Sequence, residues 1–279
     1  MSIYYTICDA LPFEILHWTF MKNAFLAILL IAPLFGLTST MIVTGRMSFF
    51  SDALGHSAFT GIAIGAICGM TAPTYIAVLF SVIFALLFSY IRRKSNQTAD
   101  TLIGVFSSTA VALGIFIATL NGGSFTKYNK YLIGDILSVT PAEIGILALI
   151  LLTVIIIWIF ASNRLILCSV HPQLASSRGI SVGVTQTVFT VAIAIIVTLA
   201  ISWVGLLILN SLLVLPGAAS KNIAKNIKQY HTFSVLIASI AGISGLCISF
   251  YLGTSAGAAI SLVLAVLFAI SFFLRKVRS

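Results

Sequence analysis

Residues 182–219 read VGVTQTVFTVAIAIIVTLAISWVGLLILNSLLVLPGAA and contain no charged side chain. One helical bilayer crossing takes roughly 20 predominantly apolar residues, so this stretch is long enough for two. Ser202-Trp203-Val204-Gly205 offers a break between them. Working outward, further apolar runs cover 20–44, 52–70, 73–91, 101–120 and 141–161 on the N-terminal side, and 233–252 and 255–274 beyond. The pattern predicts an all-α protein, a polytopic transmembrane helical bundle of about eight to nine spans, with nine in the fullest count. No segment reads as a soluble domain, so residues 1–279 are read as one membrane domain.

Composition agrees. The chain has 279 residues, 60% hydrophobic and 8% charged, with a mean hydropathy of +1.16. Soluble domains average about 45–50% apolar and about 25% charged. These values exclude a disordered chain, a nucleic-acid-binding domain and a disulfide-stapled secreted module. Cys8, Cys68, Cys168 and Cys247 are far apart and form no Cys-x-x-Cys pair, so they read as small apolar residues near helices. The N-terminal region does not read as a cleavable signal peptide. Asp9 and Glu14 spoil a basic leader, and the apolar run over 24–43 is too long for one.

The net charge of +9 is explained by topology. With nine spans and the Arg92-Arg93-Lys94 loop cytoplasmic, Arg46, Arg92, Arg93, Lys94, Arg164, Arg178, Lys221, Lys225, Lys228, Arg275, Lys276 and Arg278 all fall inside. Only Lys22, Lys127 and Lys130 fall outside. The positive-inside rule therefore predicts an external N-terminus and a cytoplasmic C-terminus.

Within GRMSFFSDALGHSAFTGIAIG (residues 45–65) stands the one acidic residue in a membrane-associated motif, Asp52. An intramembrane carboxylate is costly to insert and marks a functional position. His56 follows four residues later, which on a helix places both side chains on one face. One carboxylate oxygen and one imidazole nitrogen suit zinc, manganese or iron better than Cu(I) or Ca. The alternative is an interfacial Asp52 that N-caps the second helix, with His56 hydrogen-bonded nearby. Gly61, Gly65 and Gly69 continue at intervals of four, with Ser57 one turn earlier. Such a ridge reads as close helix packing, or as a smooth wall beside the Asp52/His56 face.

Residues 164–182 form the longest polar cytoplasmic stretch. There Pro172 can open a short helix and Gly179 can end it, with His171 as a solvated loop residue. Asp135 and Glu143 read as a solvated outer rim, while His17, His231, Tyr4, Tyr5 and Trp18 read as interfacial anchors.

Three stretches carry a family resemblance: GRMSFFSDALGHSAFTGIAIG, SVHPQLASSRGI (169–180) and VGLLILNSLLVLPGAAS (204–220). YLIGDILSV (131–139) adds a weaker fourth. In order and spacing the chain resembles the membrane permease subunits of ATP-binding-cassette importers for zinc, manganese and iron. The resemblance implies a homodimeric permease of the cell membrane, not itself an enzyme. Two cytoplasmic ATPase subunits and an extracytoplasmic metal-binding protein would be its partners. No permanently bound cofactor is implied, and the divalent metal is the cargo, zinc foremost. Asp52 and His56 would contact metal. Pro172, Gln173, Leu174, Ala175 and Gly179 would dock the ATPase, although His171-Pro172-Gln173 stands where the family loop usually begins with an acidic residue.

Other classes fare worse on the residues. The chain lacks Gly-x-x-x-x-Gly-Lys-Ser/Thr, so it is not itself a P-loop ATPase, and it lacks the His-Glu-x-x-His of an intramembrane metalloprotease. A purely structural subunit would not need the Asp52/His56 pair. A secondary transporter or channel for a metal ion or small solute is the alternative, but it would need coupling acids that the spans, apart from Asp52, nearly lack.

Overall fold

The structure is a computed structural model that describes residues 4–6, 14–70, 73–120 and 135–278. Among these the chain is helical, with no strand. The helices are α1 (Thr19–Thr44), α2 (Phe50–Ile67), α3 (Thr74–Lys94), α4 (Ala99–Thr119), α5 (Pro141–Val170), α6 (Pro172–Ser177), α7 (Val182–Val204), α8 (Leu206–Ile223), α9 (Ile227–Leu252) and α10 (Ala256–Arg278). Eight of them are long and apolar enough to cross a membrane. The long helix outside that set is α2, with 18 residues. It carries Asp52, His56 and the glycine ridge, so polar and small residues dilute its hydropathy.

Helix ends follow local chemistry. Thr140-Pro141-Ala142-Glu143 forms a capping box at the start of α5. Thr140 N donates to Glu143 Oε2 at 2.8 Å and Glu143 N to Thr140 Oγ1 at 3.4 Å, with proline in the first turn, where its missing N–H costs nothing. Glu143, expected as a rim residue, is thus a capping residue. Asp135 Oδ1 likewise accepts from Leu137 N. Asn226 caps α9 by accepting from Gln229 N. The uncharged stretch breaks at Gly205, whose φ of +86° suits glycine and separates α7 from α8. One boundary differs from expectation. Helix α5 runs on to Val170, so residues 164–170 of the expected polar loop are helical.

Packing divides the chain into two compact units. The first comprises the described residues of Met1–Thr40 with Asp135–Trp158 and Trp203–Ser279; the second comprises those of Met41–Gly134 with Ile159–Ser202. In the first, α8, α9 and α10 pack on one another, and glycines set the closest approaches. A Cβ at Gly245 would fall 2.6 Å from Ile260 Cα, and one at Gly36 would fall 2.9 Å from Val235 Cα. Ser234 Oγ donates to Gly36 O at 2.6 Å across that contact.

In the second unit α2 lies against both α3 and α4. Toward α3 it presents an antiparallel seam of small residues. Ser57 Oγ is 3.1 Å from Ser81 Oγ. A Cβ at Gly61 would stand 2.5 Å from Ala77 Cα, and one at Gly65 would stand 3.0 Å from Pro73 Cα. Each step of four along α2 meets a step of four back along α3, which lets the two backbones touch. Toward α4, Thr60 Oγ1 donates to Ala110 O at 2.7 Å, and Gly114 leaves room for Phe59. Phe88 joins the helices lower down, 4.8 Å from Phe50 and 5.5 Å from Phe106 between ring centroids.

The expected ridge of three glycines needs a correction at its last member. Gly69 has φ +71° and nothing near its Cβ position. It ends α2 in the left-handed region, with Gly69 N donating to Ala66 O and Met70 N to Gly65 O. Gly61→Val should therefore sharply reduce the folded yield in detergent. Overpacking costs about 1–3 kcal/mol, with the upper end expected where the neighbour is backbone. Gly69→Ala should cost only the roughly 1–2 kcal/mol of a left-handed non-glycine residue. Equal thermal melting of Gly61→Val and wild type would contradict the seam.

Candidate functional site

The motif that opens α2 first makes a turn. After α1 ends, Gly45 N donates to Met41 O and Met47 N to Ile42 O. Arg46 has φ +53°, the one positive value at a non-glycine residue among those described. Phe50 N then donates to Met47 O as α2 begins. The N-cap residue is Phe49, without a side-chain cap. Asp52 is therefore not the N-cap; it stands in the first helical turn, where the positive end of the helix dipole favours a carboxylate.

Asp52 Oδ2 lies 3.5 Å from His56 Nε2, with the side chains 45% and 27% exposed. Their setting is selective. From Phe50 to Ala63 every residue of α2 except these two is buried. The helix is enclosed on its remaining faces and offers one carboxylate and one imidazole, one turn apart, on the accessible strip. Two ligands at about 2.0–2.1 Å from a tetrahedral ion sit about 3.4 Å apart, close to the observed separation. Among the described residues no third His, Cys, Asp or Glu joins a group able to hold a metal ion. One carboxylate and one imidazole are two of the four donors that a tetrahedral ion would take.

The 172–179 segment forms as its residues suggest. Pro172 occupies the first turn of α6. Gly179, at φ +73°, closes it, with Ile180 N donating to Ala175 O. Pro172, Gln173, Leu174, Ser176, Ser177, Arg178 and Gly179 are exposed. Leu174 shows 44% of its surface and Val170 51%, whereas Ala175 is fully buried. Ala175 is the buried member of the short helix, so of the residues expected to dock a partner Pro172, Gln173, Leu174 and Gly179 are offered outward. His171 is exposed in front of α6, as read.

The late-helix motif has a packing role that its sequence alone does not reveal. Pro216 lies inside α8 and removes one backbone donor. Beside it, Ser39 Oγ of α1 accepts from Gly217 N at 2.8 Å and donates to Val214 O at 3.4 Å. A Cβ at Gly217 would stand 2.6 Å from that hydroxyl, so glycine is needed for the clip to form. Of the fourth motif, residues 131–134 lie outside the described residues.

The remaining histidines separate. His17 is exposed. His231, expected as an interfacial anchor, is instead knit into the protein. Its Nδ1 is 2.9 Å from Thr40 Oγ1, and its ring stacks on Tyr230 and meets Trp158 edge-on at 5.4 Å. Trp158 Nε1 and His231 Nε2 are buried without a hydrogen-bond partner. Nothing local in the sequence announces this cluster, because its members come from three helices. Cys68 is exposed, Cys168 buried and Cys247 partly buried, all free; Cys8 lies outside the described residues.

A sequence profile described as the ABC 3 transport family matches residues 17–275. The High-affinity zinc uptake system membrane protein ZnuB of Haemophilus influenzae is 27% identical over 265 residues, covering 95% of this chain and 99% of the relative. The Manganese transport system membrane protein MntC of Halalkalibacterium halodurans is 27% identical over 261 residues, covering 93% and 89%. Among solved structures, a chain of PsaBC from Streptococcus pneumoniae in complex with Fab superimposes with a TM-score of 0.79 at 26% identity, covering 98% of this chain and 95% of that one.

Proposed function

The chain belongs to the ABC 3 transport family, and from that premise we propose that it conducts a divalent transition metal ion, zinc foremost and manganese or iron next, along the face of α2 that carries Asp52 and His56. It is a multi-pass protein of the cell membrane and the permease subunit of an ATP-binding-cassette transporter, with ATP hydrolysis on a separate chain. The observation that carries the reading is the burial pattern of α2, where Asp52 and His56 alone stay accessible between Phe50 and Ala63. A helix sheltered by α3 and α4 need not be apolar enough to face lipid, so α2 counts as a crossing. Nine crossings would put the two termini on opposite sides, and the positive-inside rule supports a cytoplasmic C-terminus and a cytoplasmic Arg92–Lys94 end of α3.

Two donors are too few to hold a four-coordinate ion. A two-fold pairing of permeases would bring two Asp52 and two His56 to one axis and complete the set. An open, half-built site in each chain also suits transport, since an ion held too tightly does not leave. The exposed face of α6 is the docking surface for the ATPase, and an extracytoplasmic metal-binding protein delivers the ion.

The test is uptake of radioactive zinc and manganese into proteoliposomes holding this permease, its ATPase and its binding protein. Uptake should require internal ATP and persist when the proton gradient is collapsed. The opposite dependence would make the chain a secondary transporter. In the same vesicles Lys94→Cys and Lys127→Cys should label from opposite faces, and labelling of both from one side would overturn the orientation.

A further inference from the structure

The last turn of α3 and the first turns of α7 enclose a polar cavity of about 210 Å³, lined by Ser89, Arg92, Arg93, Gly183, Gln186 and Thr187. We propose that this cavity binds the phosphate headgroup of an anionic phospholipid from the cytoplasmic leaflet. The site is independent of the metal face, and a chain that moved no metal would still hold the lipid.

The chemistry of the lining is that of an anion site. Each guanidinium offers five N–H donors. Arg92 Nη2 donates to Gly45 O at 3.3 Å. Arg93 donates from Nε to Ser89 O at 3.4 Å and from Nη2 to Thr187 Oγ1. Those bonds hold both side chains in place and leave most of their donors unspent. Neither arginine has a carboxylate partner among the described residues, and Arg92 is half-buried. Two fixed cations side by side, one partly withdrawn from water, favour a shared anion. The cavity keeps room for it at Gly183, where a Cβ would come within 3.0 Å of Arg93 Nη1. Hydroxyls and an amide from Ser89, Thr187 and Gln186 supply neutral polar groups around it.

Depth decides which anion. The outer surface of α3 exposes Leu79, Ile83, Leu86 and Leu87, then Tyr90 at 55%. Lys94 sits 4.8 Å over the Tyr90 ring. Exposed aliphatic residues followed by an aromatic and a lysine mark the passage from acyl chains to headgroups. Arg92 and Arg93 are on the same turns, so the cavity stands at the level of lipid phosphate. A zwitterionic headgroup would bring its own cation towards two guanidiniums, so a net-anionic lipid is favoured.

The experiment uses the full-length protein in detergent, offered equal amounts of phosphatidylglycerol and phosphatidylcholine, with retained lipid counted by native mass spectrometry. One basic residue near an anionic surface contributes roughly five-fold, so two predict roughly thirty-fold preference for phosphatidylglycerol. Arg92→Gln with Arg93→Gln should erase the preference, and Lys94→Gln, which removes a neighbouring charge outside the cavity, should leave it. A wild type without preference overturns the site. So does Lys94→Gln losing as much as Arg93→Gln, because that describes diffuse surface charge. Displacement of the lipid by millimolar inorganic phosphate would make the ligand a free anion and overturn the lipid assignment. Should the double variant fail to fold, the wild-type preference and the Lys94→Gln comparison still decide.

Discussion

Asp52→Asn is expected to abolish metal uptake while the permease still folds, inserts and pairs. The substitution keeps the size of the side chain and an oxygen able to accept a hydrogen bond, and it removes the charge that attracts a cation. Losing an outer partner of a metal ligand already costs roughly 10- to 100-fold, so losing a ligand's charge should cost at least that. Because the N-cap of α2 is Phe49 and Asp52 stands in the first turn, a purely structural Asp52 would give up only about 0.3–1 kcal/mol of dipole interaction on neutralisation, with transport per folded molecule intact. His56→Ala should match Asp52→Asn in transport. His56 is 27% exposed at its side chain, so any packing lost on its removal is corrected for by normalising to folded permease. Radioactive zinc and manganese uptake, normalised to folded permease, separates the outcomes. Wild-type rates in Asp52→Asn would defeat the metal path.

Leu174→Asp is expected to cut ATPase binding by roughly thirty-fold or more, the loss of about 2 kcal/mol that a central interface anchor brings. Leu174 is the exposed apolar side chain of α6, and a carboxylate there would be buried against the partner unpaired. Gly179→Leu should impair the same contact differently, by forcing a side chain onto an exposed residue at φ +73°. Both variants should leave the permease in the membrane, because neither position packs inside the chain. Ala175→Leu is the contrast. Ala175 is fully buried, so its enlargement should lower folded yield before it affects docking. Full metal-stimulated ATP hydrolysis together with normal co-purification in Leu174→Asp would remove α6 from the interface.

Much of this architecture is legible along the chain because membrane spans and helix ends are decided over short distances. A run of apolar residues needs no partner to be recognised as a span. Gly205 breaks the uncharged stretch through its own backbone freedom, and Pro172 and Gly179 bracket α6 for equally local reasons. The Asp52/His56 pair is similarly local, since a spacing of four on any helix puts both on one face. Family motifs extend this reach, and they anticipated the relationship that the match over residues 17–275 displays.

What sequence by itself determined, then, is a membrane-spanning helical chain, the placing of its breaks and the pairing of one carboxylate with one imidazole. Tertiary structure alone decided which surfaces those helices use. It assigned Gly61 and Gly65 to a seam with α3 and released Gly69 from it. It turned Ala175 inward and Leu174 outward, bound His231 to Thr40, and grouped the helices into two units. The physical reason lies in the uniformity of apolar sequence. When nearly every face of a helix is apolar, hydropathy cannot tell the face that meets lipid from the face that meets protein. Only the close approach of small residues from distant segments distinguishes them.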